Sequence, residues 1–361
     1  MLVVNLSMLG ARPTGLGVYA ERCAKALSER FEISVVAGHG FVPDAPRLVS
    51  APASVAIGAS RGAAIKRALW ARSVELPGAR LLYSPTHHAL PRAARQVITI
   101  HDLICLRFPQ QHRMQYWYFR HLLPRVLKQC AAVFTVSETT RRDIAEHYKF
   151  PLERIHVVPN GVDAARFAPA SSDVLPAAAP PYLLMVGARY PHKNVQEVLS
   201  ECAAWSDEYR LVVASCGGDY RKALESQAES LGLRDRIEFL DYVDDARLRQ
   251  LYQGAAALLY PSFWEGFGIP PLEALASGTH VIAADIPVLR EVLGDAAQFV
   301  QLGSSASWQA AFAGLKDACA GAARKRAAAA ILETFTWERS AEALQSALLY
   351  VDATLQLKQR R

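Results

Sequence analysis

The 361-residue chain is 51% hydrophobic and 20% charged, which excludes disorder and supplies apolar material for more than one core, so two globular domains are expected. No apolar run reaches the roughly 18 residues that a membrane-spanning helix needs. The opening MLVVNLSMLGARPTG also lacks the basic and long apolar regions of a secretion signal, so the cytoplasm is the expected compartment. The formal charge of +6 is uneven: residues 1–170 hold 22 Lys and Arg against 11 Asp and Glu, and residues 171–361 hold 18 against 23. The first half is therefore expected to meet a membrane surface, a phosphorylated substrate or nucleic acid, unless that face is merely solvated.

In chain order, short Val/Ile/Leu-rich runs alternate with helix-like segments: LVVNL, ISVVAG, RLLYSPT, QVITIHD, AVFTVS and IHVVPNG, then YLLMVGA, RLVVASC, IEFLDYV, ALLYPS and HVIAAD. Apolar runs that do not alternate with polar residues suit parallel strands buried on both faces, and the interleaved helices imply βαβ units. Between the sixth and seventh runs, APASSDVLPAAAPP (168–181) has no amphipathic period and reads as a linker. Two doubly wound α/β domains follow from this, with ligands expected at the carboxyl ends of the strands and the site between the domains.

The first run is followed by GLG (15–17), where Gly15 and Gly17 open a helix and let backbone approach a phosphate. GLGVYA also fits G-x-G-x-x-A, but LVVNL ends several residues earlier and ISVVAGHG carries no acidic residue for a ribose, so a nicotinamide-dependent oxidoreductase fits poorly. His87 and His88 end one run, without the local third ligand that a metal site needs. His101 ends another and could hydrogen-bond a ligand at that strand end or be a buried core histidine, with Asp102 beside it as an orienter or helix cap. Residues 107–129 interleave Arg113, Arg120, Arg125 and Lys128 with Tyr116, Trp117, Tyr118 and Phe119. Such a segment either lies on an anionic membrane or buries its aromatics in the first core. Asn160 and Gly161 read as turn formers.

In the second half, Lys193 of PHKN follows the run YLLMVG, and the stretch WEGFGIPPLEA (264–274) follows ALLYPS. There Glu265 is expected in the strand-to-loop turn and Glu273 in the first turn of a helix that Pro271 helps to open. The amides of Gly266, Phe267 and Gly268 are expected to face an anion at that helix start, while the two carboxylates suit hydroxyl donors. That combination outlines a sugar-nucleotide site. The alternative is a dipole-complementing Glu273 and a solvated Glu265. The six cysteines are scattered with no C-x-x-C spacing and read as small buried hydrophobes.

PSFWEGFGIPPLEALASG resembles the E-x7-E signature of the retaining family 4 glycosyltransferases of GT-B fold. TGLGVYAERCAKAL, TIHDLICLRFP, VFTVSETTRRDIAEHY, VVPNGVD, VGARYPHKN, LYPS, LREVLGDAA and FTW follow the same family order. The resemblance implies two Rossmann-like domains facing across a cleft. Residues 1–168 are expected to form the acceptor side and 169–181 the linker. Residues 182–339 would bind the nucleotide sugar, with a final helix of about 340–361 packing back on the first domain.

It also implies site roles: Glu265 accepts hydroxyls of the transferred sugar, Glu273 those of the ribose, Lys193 neutralises the donor diphosphate, His101 contacts the donor sugar, and the backbone at Tyr242 and Val243 lies near the base. One departure matters. Many relatives carry Gly-Arg before the lysine, whereas here Gly187 is followed by Ala188 and then Arg189, leaving Arg189 as either a displaced phosphate clamp or a surface residue.

The implied chemistry is metal-independent, retaining transfer of a hexose onto a saccharide acceptor, with no cofactor beyond the sugar nucleotide. GDP-mannose is the expected donor, in polysaccharide assembly with a lipid-linked acceptor at the inner face of the cytoplasmic membrane. UDP-glucose, UDP-N-acetylglucosamine and dTDP-rhamnose stay open as donors, and a non-catalytic sugar-nucleotide binder is the alternative of another class. A pyridoxal-phosphate phosphorylase shares the fold but is far larger, and no nucleic-acid-reading motif is present.

Overall fold

The computed structural model describes residues 1–10, 15–56, 62–169 and 180–355, so most of the expected linker lies outside the described residues. The chain separates into two compact units, Met1–Asn160 with Trp337–Arg361, and Gly161–Thr336.

The first unit holds seven strands: β1 (Leu2–Leu6), β2 (Ile33–Ala37), β3 (Arg47–Ser50), β4 (Leu81–Ser84), β5 (Gln96–Thr99), β6 (Cys130–Thr135) and β7 (Ile155–Val157). They form one sheet in the order β3-β2-β1-β4-β5-β6-β7, every pairing parallel. β1, β2, β4 and β5 are buried at every position, as strands covered by helices on both faces must be. The order reverses between β1 and β4, which places a ligand crevice at their carboxyl ends.

Helix Gly15–Arg30 turns Tyr19, Ala20, Cys23, Ala26 and Leu27 inward, one face at helical spacing. Helix Trp337–Val351 lies against it: Gln345 donates to the Ala26 carbonyl (3.0 Å), and Arg22 sits 5.6 Å over the Trp337 ring. Asn160 and Gly161 run on without the turn that the sequence suggests. Val158 still pairs with Thr135 (2.7 Å), so the extended backbone of β7 carries past its end.

The second unit holds β8 (Tyr182–Val186), β9 (Arg210–Ala214), β10 (Ile237–Leu240), β11 (Ala257–Tyr260), β12 (His280–Ala284) and β13 (Gln298–Val300). They are ordered β10-β9-β8-β11-β12-β13, again all parallel. Its core includes Leu183, Leu211, Val213, Leu259, Ile282, Trp205 and Trp308. Here the order reverses between β8 and β11.

Candidate active site

Lys193 and Glu265 meet at that reversal. After β8, Gly187 adopts φ +73°, a conformation glycine tolerates and other residues resist. Ala188 then turns into the core and Arg189 out to solvent. Pro191–Lys193 form a single 3-10 turn, closed by Asn194 in the left-handed region (φ 59°), where asparagine is the tolerated non-glycine residue. The turn is pinned to the loop after β11 because Phe263 N–H donates to the His192 carbonyl (2.9 Å). Lys193 therefore points at that loop: its Nζ donates to Glu265 Oε1 at 2.6 Å and to the Tyr260 hydroxyl at 3.4 Å.

The two side chains are 18% and 8% exposed, so the solvated Glu265 that the sequence left open is not what the structure holds. Burial alone would raise the Glu265 carboxyl, but the Lys193 charge and hydrogen bond outweigh it and hold the carboxyl below its ordinary range.

From Glu265 the chain passes Gly266 and the buried Phe267, whose ring packs edge-on to Phe335 (5.2 Å), to Gly268. Gly268 has φ +111°, and a Cβ there would lie 3.0 Å from Leu289 Cδ2, so the position demands glycine. The helix begins at Ile269 and ends at Ala276, with Pro270 and Pro271 in its first turn, where missing N–H groups cost nothing. This corrects the expectation for Glu273. It is the fifth residue, one turn further in than Pro271 suggested, with no acidic residue in the first turn. The dipole-complementing alternative loses its basis, since that effect fades beyond the first turn.

The Glu273 carboxylate accepts a hydrogen bond from the Tyr252 hydroxyl (2.9 Å). Burial pushes the carboxyl above its ordinary value, partly offset by that bond and by Arg166. Tyr242, 86% exposed, and Val243 lie between β10 and the next helix, Asp245–Gly254.

In the first unit, the loop after β4 is tied down by three of its carbonyls. Pro85 O accepts from His101 Nε2 (3.0 Å), His87 O from the Tyr118 hydroxyl (2.9 Å) and His88 O from Asn5 Nδ2 (2.9 Å). A carbonyl can only accept, so His101 carries its proton on Nε2 and presents Nδ1 as an acceptor. The imidazole packs edge-on to Tyr19 (4.6 Å). Burial lowers its pKa to about 4 despite the Pro85 bond, and lowers His87 to about 3. Asp102 accepts from Ile104 N–H (2.9 Å), two residues on, and the cap position of the short helix Ile104–Arg107 falls on Leu103. Gly15 is exposed and Gly17 buried at the start of their helix.

Residues 113–127 are helical with a π-turn at Tyr118–Leu122. Phe119 is core, while Trp117 is 59% and Met114 69% exposed, beside exposed Arg113, Arg120, Arg125 and Lys128.

Three residues were passed over in the sequence. Tyr260 lies beside Lys193, Tyr252 holds Glu273, and Tyr19 packs on His101. The first was visible in LYPS, while the other two sit in helices where nothing distinguishes them from core aromatics. Among the described residues no three His, Cys, Asp or Glu are grouped to hold a metal ion, and no helix is long and apolar enough to cross a membrane.

Two parallel, doubly wound sheets with a lysine–carboxylate pair at the reversal of the second are the architecture of GT-B sugar-transferring enzymes. Residues 13–166 match the model described as Glycosyltransferase Family 4, and residues 170–330 the model described as Glycosyl transferases group 1. The chain is 34% identical over 329 residues to the O-antigen chain mannosyltransferase RfbU of Salmonella typhimurium, covering 88% of this chain and 91% of that protein. With the O-antigen chain mannosyltransferase B of Escherichia coli it shares 29% identity over 227 residues, 60% of each chain.

A solved structure of Anabaena HepE in complex with UDP and glucose superposes with a TM-score of 0.73 over 97% of this chain and 100% of that one, at 18% identity. Sucrose-phosphate synthase from Thermosynechococcus elongatus gives 0.72 over 97% and 98%, also at 18% identity. The chain belongs to the family 4 glycosyltransferases. It is a retaining enzyme of GT-B fold that moves a sugar from a nucleotide-sugar donor onto a saccharide acceptor.

Proposed function

We propose that the enzyme transfers mannose from GDP-mannose onto a lipid-linked saccharide in polysaccharide assembly, working at an anionic membrane surface. The observation that carries the donor-site reading is the Lys193–Glu265 pair, a cation and an ionised carboxylate held 2.6 Å apart at the carboxyl ends of β8 and β11, where doubly wound sheets bind ligands. The names of the O-antigen relatives favour mannose. Exposed Met114 and Trp117 among arginines and a lysine favour the membrane, since apolar and basic residues on one helix suit an anionic interface.

In this reading Lys193 faces the donor diphosphate, with Arg189 as an outer clamp and the loop of Gly266, Phe267 and Gly268 lending amides. Glu265 accepts sugar hydroxyls, Glu273 accepts the ribose hydroxyls, and Tyr242 and Val243 flank the base. In the other unit, Gly15 and Gly17 give phosphate access to backbone and His101 Nδ1 accepts from a sugar hydroxyl. Double displacement would require a nucleophilic carboxylate at the anomeric carbon paired with a nearby acid, and Glu265 instead has a lysine for its partner. The reaction is therefore front-face. The bond from the anomeric carbon to the phosphate oxygen breaks, the acceptor oxygen bonds the same face, its proton passes to the departing β-phosphate, and Lys193 stabilises the charge that develops there.

The test is thermal shift and calorimetry with guanosine, uridine and thymidine diphosphates and their sugars, because a ligand that binds only the folded state raises apparent stability. Transfer to a lipid-linked saccharide is then assayed. Stabilisation by GDP and GDP-mannose with mannosyl transfer is expected. Preference for UDP or dTDP compounds overturns the donor, and tight binding without transfer to any acceptor overturns catalysis. Failure to float with anionic liposomes at low salt removes the membrane.

A further inference from the structure

Glu273 has, among the described residues, one hydrogen-bond donor to its carboxylate, and that donor is itself buried. The Tyr252 hydroxyl reaches Oε2 at 2.9 Å from a side chain that is 0% exposed. Its surroundings leave it little freedom. Thr279 Oγ1 donates to the Tyr252 carbonyl (2.6 Å), Phe167 packs edge-on to its ring (5.9 Å), and the preceding residue's carbonyl takes the Tyr182 hydroxyl (2.7 Å). A buried phenol costs stability unless bonded, and this one spends its bond on a carboxylate that remains only partly buried. Each carboxylate oxygen has two lone pairs, so Oε1 and the second site on Oε2 stay available to two further donors in an orientation that the phenol fixes.

We infer that Tyr252 is a positioning residue for donor binding, holding the Glu273 carboxylate in the rotamer that receives the two vicinal hydroxyls of the donor's ribose. The inference rests on the assignment of Glu273 to the ribose proposed above. Without the phenol the carboxylate is free to rotate, and ordering it again on binding costs about three- to tenfold in affinity, the range for immobilising one polar side chain. The loss falls on ligands that carry both hydroxyls and spares those that lack one, which separates positioning from general damage to the unit. It also falls on donor KM more than on kcat, because the ribose lies away from the reacting bond and its contacts are the same in ground and transition states.

The experiment is calorimetry of the full chain and of Tyr252→Phe with GDP, UDP and the 2′-deoxy and 3′-deoxy forms of whichever binds. Wild type is expected to prefer the ribonucleotide over both deoxy forms, and Tyr252→Phe to shrink that preference about three- to tenfold while binding the deoxy forms as wild type does. A preference that survives intact in Tyr252→Phe overturns the inference and leaves Glu273 on the ribose. No preference in wild type overturns the ribose assignment itself, and the inference with it. If the phenylalanine variant does not fold, Thr279→Val removes the bond that anchors the Tyr252 backbone without touching the phenol. A smaller loss of preference is then expected, and an unchanged ratio refutes the positioning role.

Discussion

Replacing Lys193 by methionine keeps the length of the side chain and removes its charge, leaving Glu265 without the partner that keeps it ionised. With the two side chains 18% and 8% exposed, solvent screens the pair little, and breaking a buried pair from one side costs about 3–5 kcal/mol. The pH dependence carries a sign that a packing defect lacks. In the native enzyme the Glu265 carboxyl is held low, so its contribution is present above the unfolded value of about 4.3 and is lost as pH falls through the folded one. In Lys193→Met the burial that raises the carboxyl is opposed only by the lesser effects of the Ser262 hydrogen bond and of His192. That variant is therefore penalised at neutral pH and relieved as pH falls and the acid becomes neutral.

The difference between the two proteins should be about 3 kcal/mol or more at pH 7 and should narrow toward pH 4.5. A two-unit chain can unfold in stages, so urea unfolding is best followed by hydrogen exchange of peptides from β8 to β13. A loss under about 1 kcal/mol at pH 7, as exposed pairs give, or one of equal size at both pH values, refutes the reasoning.

Glu265→Gln keeps the shape and a hydrogen-bond acceptor but not the charge. Turnover should fall about a hundredfold or more, as loss of a single stabilising group at a reaction centre does, with donor affinity within about tenfold of wild type, and steady-state kinetics showing normal turnover would sink the assignment. Gly38→Ala should destabilise the first unit by about 3 kcal/mol or more, because the new Cβ would stand 1.8 Å from the Leu9 carbonyl oxygen. An unchanged thermal midpoint by circular dichroism would contradict this. His101, with its pKa lowered to about 4, is neutral throughout the physiological range, so kcat/KM should show no inflection from it between about pH 5.5 and 8. An inflection near pH 6.5 that disappears in His101→Asn would overturn its assignment as a neutral acceptor.

Much of this architecture was legible because buried parallel strands announce themselves. Each apolar run in the sequence coincides with a strand, and two strands were missed. β3, RLVS, is largely exposed along its length, and β13, QFV, is three residues long with two of them half-buried. Both are edges of their sheets, where one side lacks a neighbour and the pressure for continuous apolar character is gone. The start of the helix carrying Glu273 was misjudged for a different reason. Two prolines in succession mark a first turn but not which of its positions each occupies, and what fixes the start is Gly268 at φ +111°, a backbone state that composition does not reveal. The phenols of Tyr252 and Tyr19 were invisible because their sequence context is that of core aromatics. Only the fold brings the first to the Glu273 carboxylate and the second against the His101 ring.

The two glutamates of the motif, eight residues apart, sit in opposite electrostatic surroundings. Glu265 has a cation at 2.6 Å and is held low, whereas Glu273 has a neutral phenol at 2.9 Å and is pushed up. A carboxylate paired with lysine stays charged whatever approaches it, which suits a position beside a sugar whose anomeric carbon turns cationic as its phosphate leaves. A carboxylate paired with a phenol keeps its acceptor sites but has no fixed cation hydrogen-bonded to it, which suits uncharged hydroxyls that need orientation rather than charge. On the reading proposed here, the motif spends its ion pair where charge changes during the reaction and its neutral hydrogen bond where it does not. On the same reading the lysine serves twice: before donor binds it offsets the burial of Glu265, and with the diphosphate present its charge would be shared, leaving Glu265 a more available acceptor for the arriving sugar.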